Sequence, residues 1–306
     1  MDKPFKTIDE QASILESRGL DVTGAKLVLA REGYYSVVNG YKDIFIDKER
    51  TAATGQDVYQ AGASFADLYR LFTFDRDLRL TMFRYFAEAE AALKSQCAYR
   101  VSEAHKESAE CYLDPATYRP ERSYRDRISR FIDELKQVLN KPPYENRGFK
   151  RSYIEHYVKE HGEVPLWVLT NYLMLGQAFR LYDFQPEPMR NAIAKGFSEL
   201  HESSYGEAVR ISPRRLRLAY DHIKDFRNIC AHDERLYCAR VSPSADVSLV
   251  DLFKDMRLVL TRDEYDKMRQ DVMWLLVSLM KDLDADHAAT VAIKMGVYDF
   301  CETFTR

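Results

Sequence analysis

The chain has 306 residues, 46% of them apolar, which is enough for one large domain or two small ones. Its 12 Gly and 10 Pro are few, while 20 Tyr and 16 Phe are many, a composition typical of a helix-rich globular protein with an aromatic core. The net charge of −3 and pI near 6.2 exclude a generally basic nucleic-acid binder, so any RNA contact must come from local patches.

The cysteines and the apolar stretches bear on the cellular compartment. The five cysteines are odd in number and show no CxxC spacing, which argues against a disulfide framework and a structural zinc site. The N-terminus lacks a signal-peptide pattern, and stretches such as "VMWLLVSLM" are too short to cross a bilayer. We therefore expect a soluble, cytoplasmic protein without a membrane partner.

The first hundred residues carry strong helix signals. Thr7 and Glu10 have the spacing of a capping box, and a second short helix fits residues 24–32. The stretch "GYYSVVNGYKDIFID" is interrupted by glycines, so it is predicted to be a packed aromatic segment and not a strand. From Ser64 to Ala104 an apolar pattern without Gly or Pro predicts one long helix, or two with a kink.

The rest of the chain also has helical periodicity. Ser212 followed by Pro213 is a strong start signal, and Thr261 with Glu264 repeats the capping-box spacing. "SPSAD" at 242–246 predicts a turn. The predicted helices are 123–139, 165–183, 188–202, 212 to about 237, and 261 to about 283. Together these patterns predict an all-α fold.

The proposed division of the chain is an N-terminal helical extension (1–59), a helical core (60–240) and a C-terminal helical cap (241–306).

The helix that begins at Ser212 has two distinct faces. At 100° per residue, one stripe is apolar and is predicted to face the core; it consists of Leu216, Ala219, Ile223, Phe226 and Cys230. A second stripe is polar and consists of Asp221, Asp225, Asn228, His232 and Arg235, with Arg227 flanking it. This pattern is compatible with a solvated face or with a site displayed on one side of the helix.

The residue types of the polar stripe suit metal-independent cleavage of RNA. A histidine can act as base or acid near neutral pH, and an arginine offers a fixed fork of donors to phosphate oxygens. In this hypothesis His232 is the acid/base, Arg227 clamps the phosphate, Asn228 orients the reacting groups, and Arg235 is a weaker supporting candidate. The sequence has no HExxH motif and no glycine-rich phosphate loop, so neither a metal ion nor another cofactor is predicted.

The sequence "RNICAHDERLY" resembles the Arg-Asn-x-x-x-His motif of HEPN ribonucleases in the form carried by the Abi-like family of bacterial abortive-infection proteins. Four further segments resemble that family in the same order: "KPFKTIDEQASILESRGL", "YYSVVNGYKDIF", "SFADLYRLFTFDRDLRL" and "VPLWVLTNYLMLGQAFRLY". The resemblance implies a HEPN-type helical bundle and a metal-independent endoribonuclease that acts as a toxin in antiviral defence. It also implies a homodimer, because HEPN sites usually pair two motifs and this chain has one complete copy. A small noncoding RNA that restrains the enzyme is a further implied partner.

Other basic residues are candidates for RNA contact beyond the motif. Residues 118–151 are rich in Arg, Lys and Tyr, so the cations could follow a phosphate backbone while tyrosines stack on bases. The alternative is a solvated helix with charged loops. The RNA-binding candidates are Arg119, Arg122, Arg125, Arg127, Lys150, Arg151, Arg214 and Arg215.

Two other functions remain open at this point. One is a non-catalytic RNA-binding or phage-sensing module, regulated by a small noncoding RNA. The other is nucleotidyl or AMP transfer controlled by a partner enzyme, as in HEPN toxins that are paired with nucleotidyltransferase antitoxins. A neighbouring nucleotidyltransferase gene would favour the latter, and a neighbouring structured RNA would favour a ribonuclease or an RNA-binding module.

Overall fold

The computed structural model describes residues 4–140, 150–243 and 246–297, and within these ranges the regular structure is helical, without a strand. The α-helices are α1 (Ile8–Ser17), α2 (Ala25–Glu32), α3 (Lys48–Thr54), α4 (Phe65–Ala104), α5 (Arg125–Asn140), α6 (Lys150–His161), α7 (Leu166–Leu169), α8 (Leu175–Asp183), α9 (Glu187–Tyr205), α10 (Pro213–Ala231), α11 (Leu249–Val259), α12 (Arg262–Asp282) and α13 (Ala285–Met295). Short turns of π- or 3₁₀-helix occupy Tyr35–Asn39, Lys42–Ile44, Cys111–Leu113, Pro115–Thr117, Arg122–Tyr124 and Thr170–Tyr172. The all-α prediction is confirmed, and a bundle of this kind is consistent with the HEPN type. None of the helices in the described ranges combines the length and hydropathy that a bilayer crossing requires.

The helix starts follow the capping signals in the sequence. Thr7 and Glu10 form the predicted capping box at the start of α1. Thr261 and Glu264 make the same reciprocal contacts before α12, at 2.8 and 3.4 Å. The hydroxyl of Ser212 accepts from the amide of Arg215 at 3.2 Å, as expected of an N-cap residue.

The longest predicted helix is a single one, α4. Its buried apolar residues recur at steps of three and four, including Leu68, Leu71, Leu78 and Met82. The same stripe also buries Asp75, a charged residue at a core position.

Several helix boundaries differ from the predictions. The single helix predicted over 165–183 is divided into α7 and α8, because the backbone becomes extended at Leu173. The helix predicted to reach about Tyr237 ends at Ala231. Helices α3, α6, α11 and α13, which have 7 to 12 residues, were not predicted from the sequence. The predicted turn at 242–246 lies partly outside the described residues.

The chain forms two compact units, and both are assembled from separate segments. The first unit consists of residues 1–83, 228–250 and 267–306. Its core includes the fully buried side chains of Val37, Phe45 and Leu68. The division at residues 59 and 240 drawn from the sequence remains a proposal.

The second unit consists of residues 84–227 and 251–266. Its core is aromatic, with Phe131, Phe197 and Tyr220 almost fully buried. The hydroxyl of Tyr220 donates to the carbonyl of Ala89 at 2.8 Å, which joins α10 to α4 within this unit.

Candidate active site

The helix that carries the motif, α10, ends in a Schellman-type turn with His232 as its cap. The amide of His232 donates to the carbonyl of Asn228 at 3.0 Å. The amide of Glu234 reaches back to the carbonyl of Ile229 at 3.1 Å. Asp233 has a φ of 54°, the left-handed conformation that usually selects glycine at this position. The turn ends the helix and leaves His232 exposed.

A buried carboxylate, Asp75 on α4, holds the chain that follows this turn. It accepts hydrogen bonds from the amides of Leu236 at 3.1 Å and Tyr237 at 2.7 Å. It also accepts from the hydroxyl of Tyr41 at 2.7 Å and pairs with Arg79 at 2.9 Å. Because Asp75 is fully buried, none of these donors has water as an easy substitute. The segment after the motif is therefore fixed to α4.

Burial is the largest influence on the pKa values of Asp75 and Tyr41. Burial raises the pKa of the Asp75 carboxyl, while the hydrogen bonds from Tyr41, Leu236 and Tyr237 and the charge of Arg79 act in the opposite direction. Burial, followed by the proximity of Asp75, raises the pKa of Tyr41, so its hydroxyl keeps the proton that it donates.

Several segments that resemble the Abi-like family meet at this carboxylate. Tyr41 comes from the tyrosine-rich segment, Asp75 and Arg79 come from the "DRDLR" sequence, and Leu236 and Tyr237 follow the histidine. The ring of Tyr41 also stacks on that of Tyr237, with centroids 6.0 Å apart. The sequence signal for this role of Asp75 was a carboxylate within an apolar helical stripe, and that signal was not used in predicting the site.

His232 lines a cleft of about 820 Å³ that lies within the first unit. The turn after α10 and the π-helix Tyr35–Asn39 both contribute to its walls. Three carboxylates line the cleft, Glu32, Asp233 and Glu234. Five arginines line it as well: Arg31, Arg76, Arg79, Arg235 and Arg240. The lining therefore carries more positive than negative charge.

Arg235 joins the turn after α10 to the tyrosine-rich segment. Its guanidinium donates to the carbonyl of Gly40 at 2.8 Å and lies 3.4 Å from the carboxylate of Asp43. The prediction that Arg235 continues the polar stripe of the helix is wrong, because α10 has already ended. The residue lines the cleft from the loop instead.

The other two motif residues lie on the last turns of α10. Asn228 is exposed, one turn before His232, and Arg227 is half-buried. The boundary between the compact units falls between Arg227 and Asn228.

The predicted apolar stripe of this helix is buried, including Cys230. Burial raises the pKa of the Cys230 thiol to about 12, so this side chain is a neutral core residue.

The RNA-binding candidates of the described chain belong to the second unit, and several already have partners there. Arg119 pairs with Glu121 at 2.6 Å and lies 3.9 Å from the ring centre of Tyr124. Arg215 pairs with the buried Asp255 at 2.7 Å. The remaining described candidates, Arg122, Arg125, Arg127 and Arg214, are exposed. The side chains of Lys150 and Arg151 lie outside the described residues.

The two tyrosines of the 118–151 region that the structure describes, Tyr118 and Tyr124, have structural contacts. Tyr118 is buried and donates to the carbonyl of Tyr112 at 2.7 Å, so its ring cannot stack on a base. Tyr124 has Arg119 and Arg127 near its ring.

Within the described ranges, no group of three or more His, Cys, Asp or Glu side chains is arranged to hold a metal ion.

The comparisons with known proteins agree with the motifs. The model of the family described as Abi-like protein matches residues 27–238, more than half of the chain. The chain belongs to the Abi-like protein family. Membership in this family suggests a function in abortive infection. No curated protein and no solved structure matches the chain.

The Abi-like match contains most of what builds the cleft. It begins within α2 and ends just beyond Tyr237, so it includes Asp75, the partners that Asp75 binds, and His232. Arg240 is a cleft residue that lies outside the matched range.

Proposed function

We propose that this chain is a metal-independent endoribonuclease of the HEPN type that acts in the cytoplasm as a toxin-like effector of abortive infection. The observation that carries the proposal is an exposed histidine, His232, at the cap of α10 in a cleft with an excess of arginines. An imidazole beside fixed cations is a combination that can cleave RNA without a metal ion.

The reaction uses the 2′-hydroxyl of the RNA as the nucleophile. A base removes the proton of this hydroxyl, the 2′-oxygen forms a bond to phosphorus, and the bond from phosphorus to the 5′-oxygen breaks. An acid protonates the departing 5′-oxygen, which leaves a 2′,3′-cyclic phosphate and a 5′-hydroxyl. We assign the proton transfers to His232, stabilisation of the phosphate charge to Arg227, and orientation of the reacting groups to Asn228. Arg235 is a positioning residue, since it bonds the carbonyl of Gly40.

The decisive test compares three proteins expressed in cells: the wild type, His232→Ala and His156→Ala. His156 is a matched control, because it is exposed and follows Arg151 at the same five-residue spacing. His232→Ala should lower cleavage by about 10²-fold to 10⁴-fold, the usual contribution of acid–base catalysis. His156→Ala should retain the wild-type level. The readout is sequencing of new 5′-hydroxyl and cyclic-phosphate ends in total RNA.

Wild-type protein that binds RNA without producing such ends would overturn the ribonuclease proposal. That result would favour the binding module, because the arginines of the cleft can hold RNA whether or not His232 acts on it.

We further propose that two copies of the chain form the active enzyme. One motif supplies one histidine, whereas cleavage needs both a base and an acid. A twofold contact between motif regions would let the histidines of two chains divide these roles. Mixing His232→Ala chains with Arg227→Ala chains should then restore part of the activity that each lacks alone, with light scattering reporting the dimer. A fully active monomer at nanomolar concentration would contradict this arrangement.

A further inference from the structure

A second feature of the cleft is an exposed tyrosine close to the start of the chain. Tyr35 is 81% exposed and lines the same cleft as His232. In the same segment Tyr34 is half-buried, and Tyr41 is buried as a partner of Asp75. A large aromatic side chain is stabilised by burial, so the fold gains little from placing the ring of Tyr35 in water.

The backbone that carries Tyr35 has an unusual conformation. Tyr35 is the first residue of the π-helix Tyr35–Asn39, a form that is rare and frequent at functional sites. The two valines of this turn, Val37 and Val38, are fully buried and anchor it. The turn is therefore a fixed element, with Tyr35 on its exposed side.

Three hydrogen bonds, one to Gly40 and two to Asp75, hold this segment to the chain around His232. Arg235 donates to the carbonyl of Gly40 at 2.8 Å. Tyr41 and the amide of Tyr237 both donate to Asp75, each at 2.7 Å. The segments that carry Tyr35 and His232 are thus held together before any ligand arrives, as a preorganised site requires.

The cleft also has a cation, Arg240, whose charge is not neutralised by the hydrogen bonds that it donates. Arg240 donates to the carbonyls of Ala239 at 2.9 Å and Lys294 at 3.0 Å, which are neutral groups. Arg76, by contrast, pairs with Glu32 at 3.1 Å, and Arg79 pairs with the buried Asp75. Arg240 therefore keeps a positive charge at the cleft that an anion can satisfy.

An aromatic face and a guanidinium that line the same net positive cleft match the chemistry of a nucleotide. We propose that the cleft binds one nucleotide of single-stranded RNA next to the bond that is cut, with the base stacked on Tyr35 and the phosphate contacted by Arg240. The position next to the cut bond rests on the proposed function. The base must be unpaired, because bases inside an RNA duplex stack on each other and cannot present a face to Tyr35.

Affinity for an uncleavable RNA tests this site separately from catalysis. The probe is a fluorescently labelled single-stranded oligoribonucleotide whose 2′-hydroxyls are methylated, so that it lacks the nucleophile, and the readout is fluorescence anisotropy. Tyr35→Ala should weaken binding about 5-fold to 100-fold, the usual effect of removing one stacked aromatic, while Tyr35→Phe keeps the ring and should stay near wild type. Arg240→Ala should weaken binding and reduce the slope of log affinity against log salt by about 1.

Tyr99 provides the matched control. It is a second exposed tyrosine, at 59%, and lies on α4 in the second unit. Tyr99→Ala should leave the affinity unchanged, and a duplex of the same sequence should bind more weakly than the single strand and show no dependence on Tyr35.

The outcomes separate this site from the proposed catalysis. Unchanged affinity in Tyr35→Ala, or equal loss in Tyr99→Ala, would overturn the nucleotide site even if His232 proves essential for cleavage. Binding of the methylated probe that depends on Tyr35, together with no cleavage of the unmethylated RNA by the wild type, would support the site and remove the ribonuclease.

Discussion

Each compact unit has a buried carboxylate close in the structure or sequence to a histidine, His222 within α10 or His232 at its cap, and the two carboxylates have different roles. In the second unit Asp255 is 2% exposed and binds Nδ1 of His222 at 2.7 Å. In the first unit Asp75 binds the amides of Leu236 and Tyr237, a few residues beyond His232. The first arrangement uses the imidazole as a structural partner. The second fixes the backbone near a histidine and leaves the imidazole exposed, as the acid–base role proposed for His232 requires.

The strongest test of this contrast is the loss of the Asp75 carboxylate. Asp75→Ala removes the acceptor for Tyr41, Arg79 and two amides, and it leaves the Arg79 charge buried. Breaking a buried ion pair in this way costs about 3–5 kcal/mol of the free energy of unfolding. Chemical denaturation measures the change. Asp77→Ala is the control on the same helix, because Asp77 is exposed and should change the stability by less than about 0.5 kcal/mol. Similar losses in both variants would refute the anchoring role.

Alanine substitution of His222 should mainly affect stability, whereas alanine substitution of His232 should mainly affect cleavage. His222→Ala should lower the free energy of unfolding by about 1–3 kcal/mol, since the buried Asp255 loses a hydrogen bond. His232→Ala should lower it by less than about 0.5 kcal/mol, because the ring is exposed, while it removes cleavage. Thermal and urea unfolding of both variants, followed by circular dichroism, provide the measurement. Aggregation or lost helicity in His232→Ala would assign His232 to the structure.

The smallest expected effect is that of a metal chelator on the rate of RNA cleavage. Because Arg227 is proposed to supply the positive charge at the phosphate, cleavage should persist unchanged in excess EDTA. The assay is cleavage of a labelled RNA with and without EDTA. Activity that is lost in chelator and restored by magnesium or manganese would move the chemistry to exposed carboxylates such as Asp77.

The fold was largely predictable where local chemistry decides the structure. The capping boxes at Thr7 and Thr261 and the N-cap at Ser212 mark real helix starts. The end of α10 was missed because Asp233, not glycine, adopts the left-handed conformation there. The buried Leu236 and Tyr237 also prolong the apolar pattern past the true end.

The candidate site was predictable on one side only. Helical spacing indicated that Asn228 and His232 share an exposed face, and both are exposed. The same cleft is also lined by Tyr35, about two hundred residues earlier in the chain, and no local sequence pattern predicts that these residues share a cleft. A tertiary contact of this kind depends on how the first unit packs.

Because the first unit is assembled from separate segments of the chain, its cleft can form only late in synthesis. The cleft combines residues from α2 and the π-helix with residues as late as Arg240. During synthesis on a ribosome, the cleft residues of α2 and the π-helix emerge long before Arg240. Asp75 cannot accept hydrogen bonds from the amides of Leu236 and Tyr237 until these residues have left the exit tunnel. A growing chain therefore cannot complete the cleft until most of its messenger RNA has been translated.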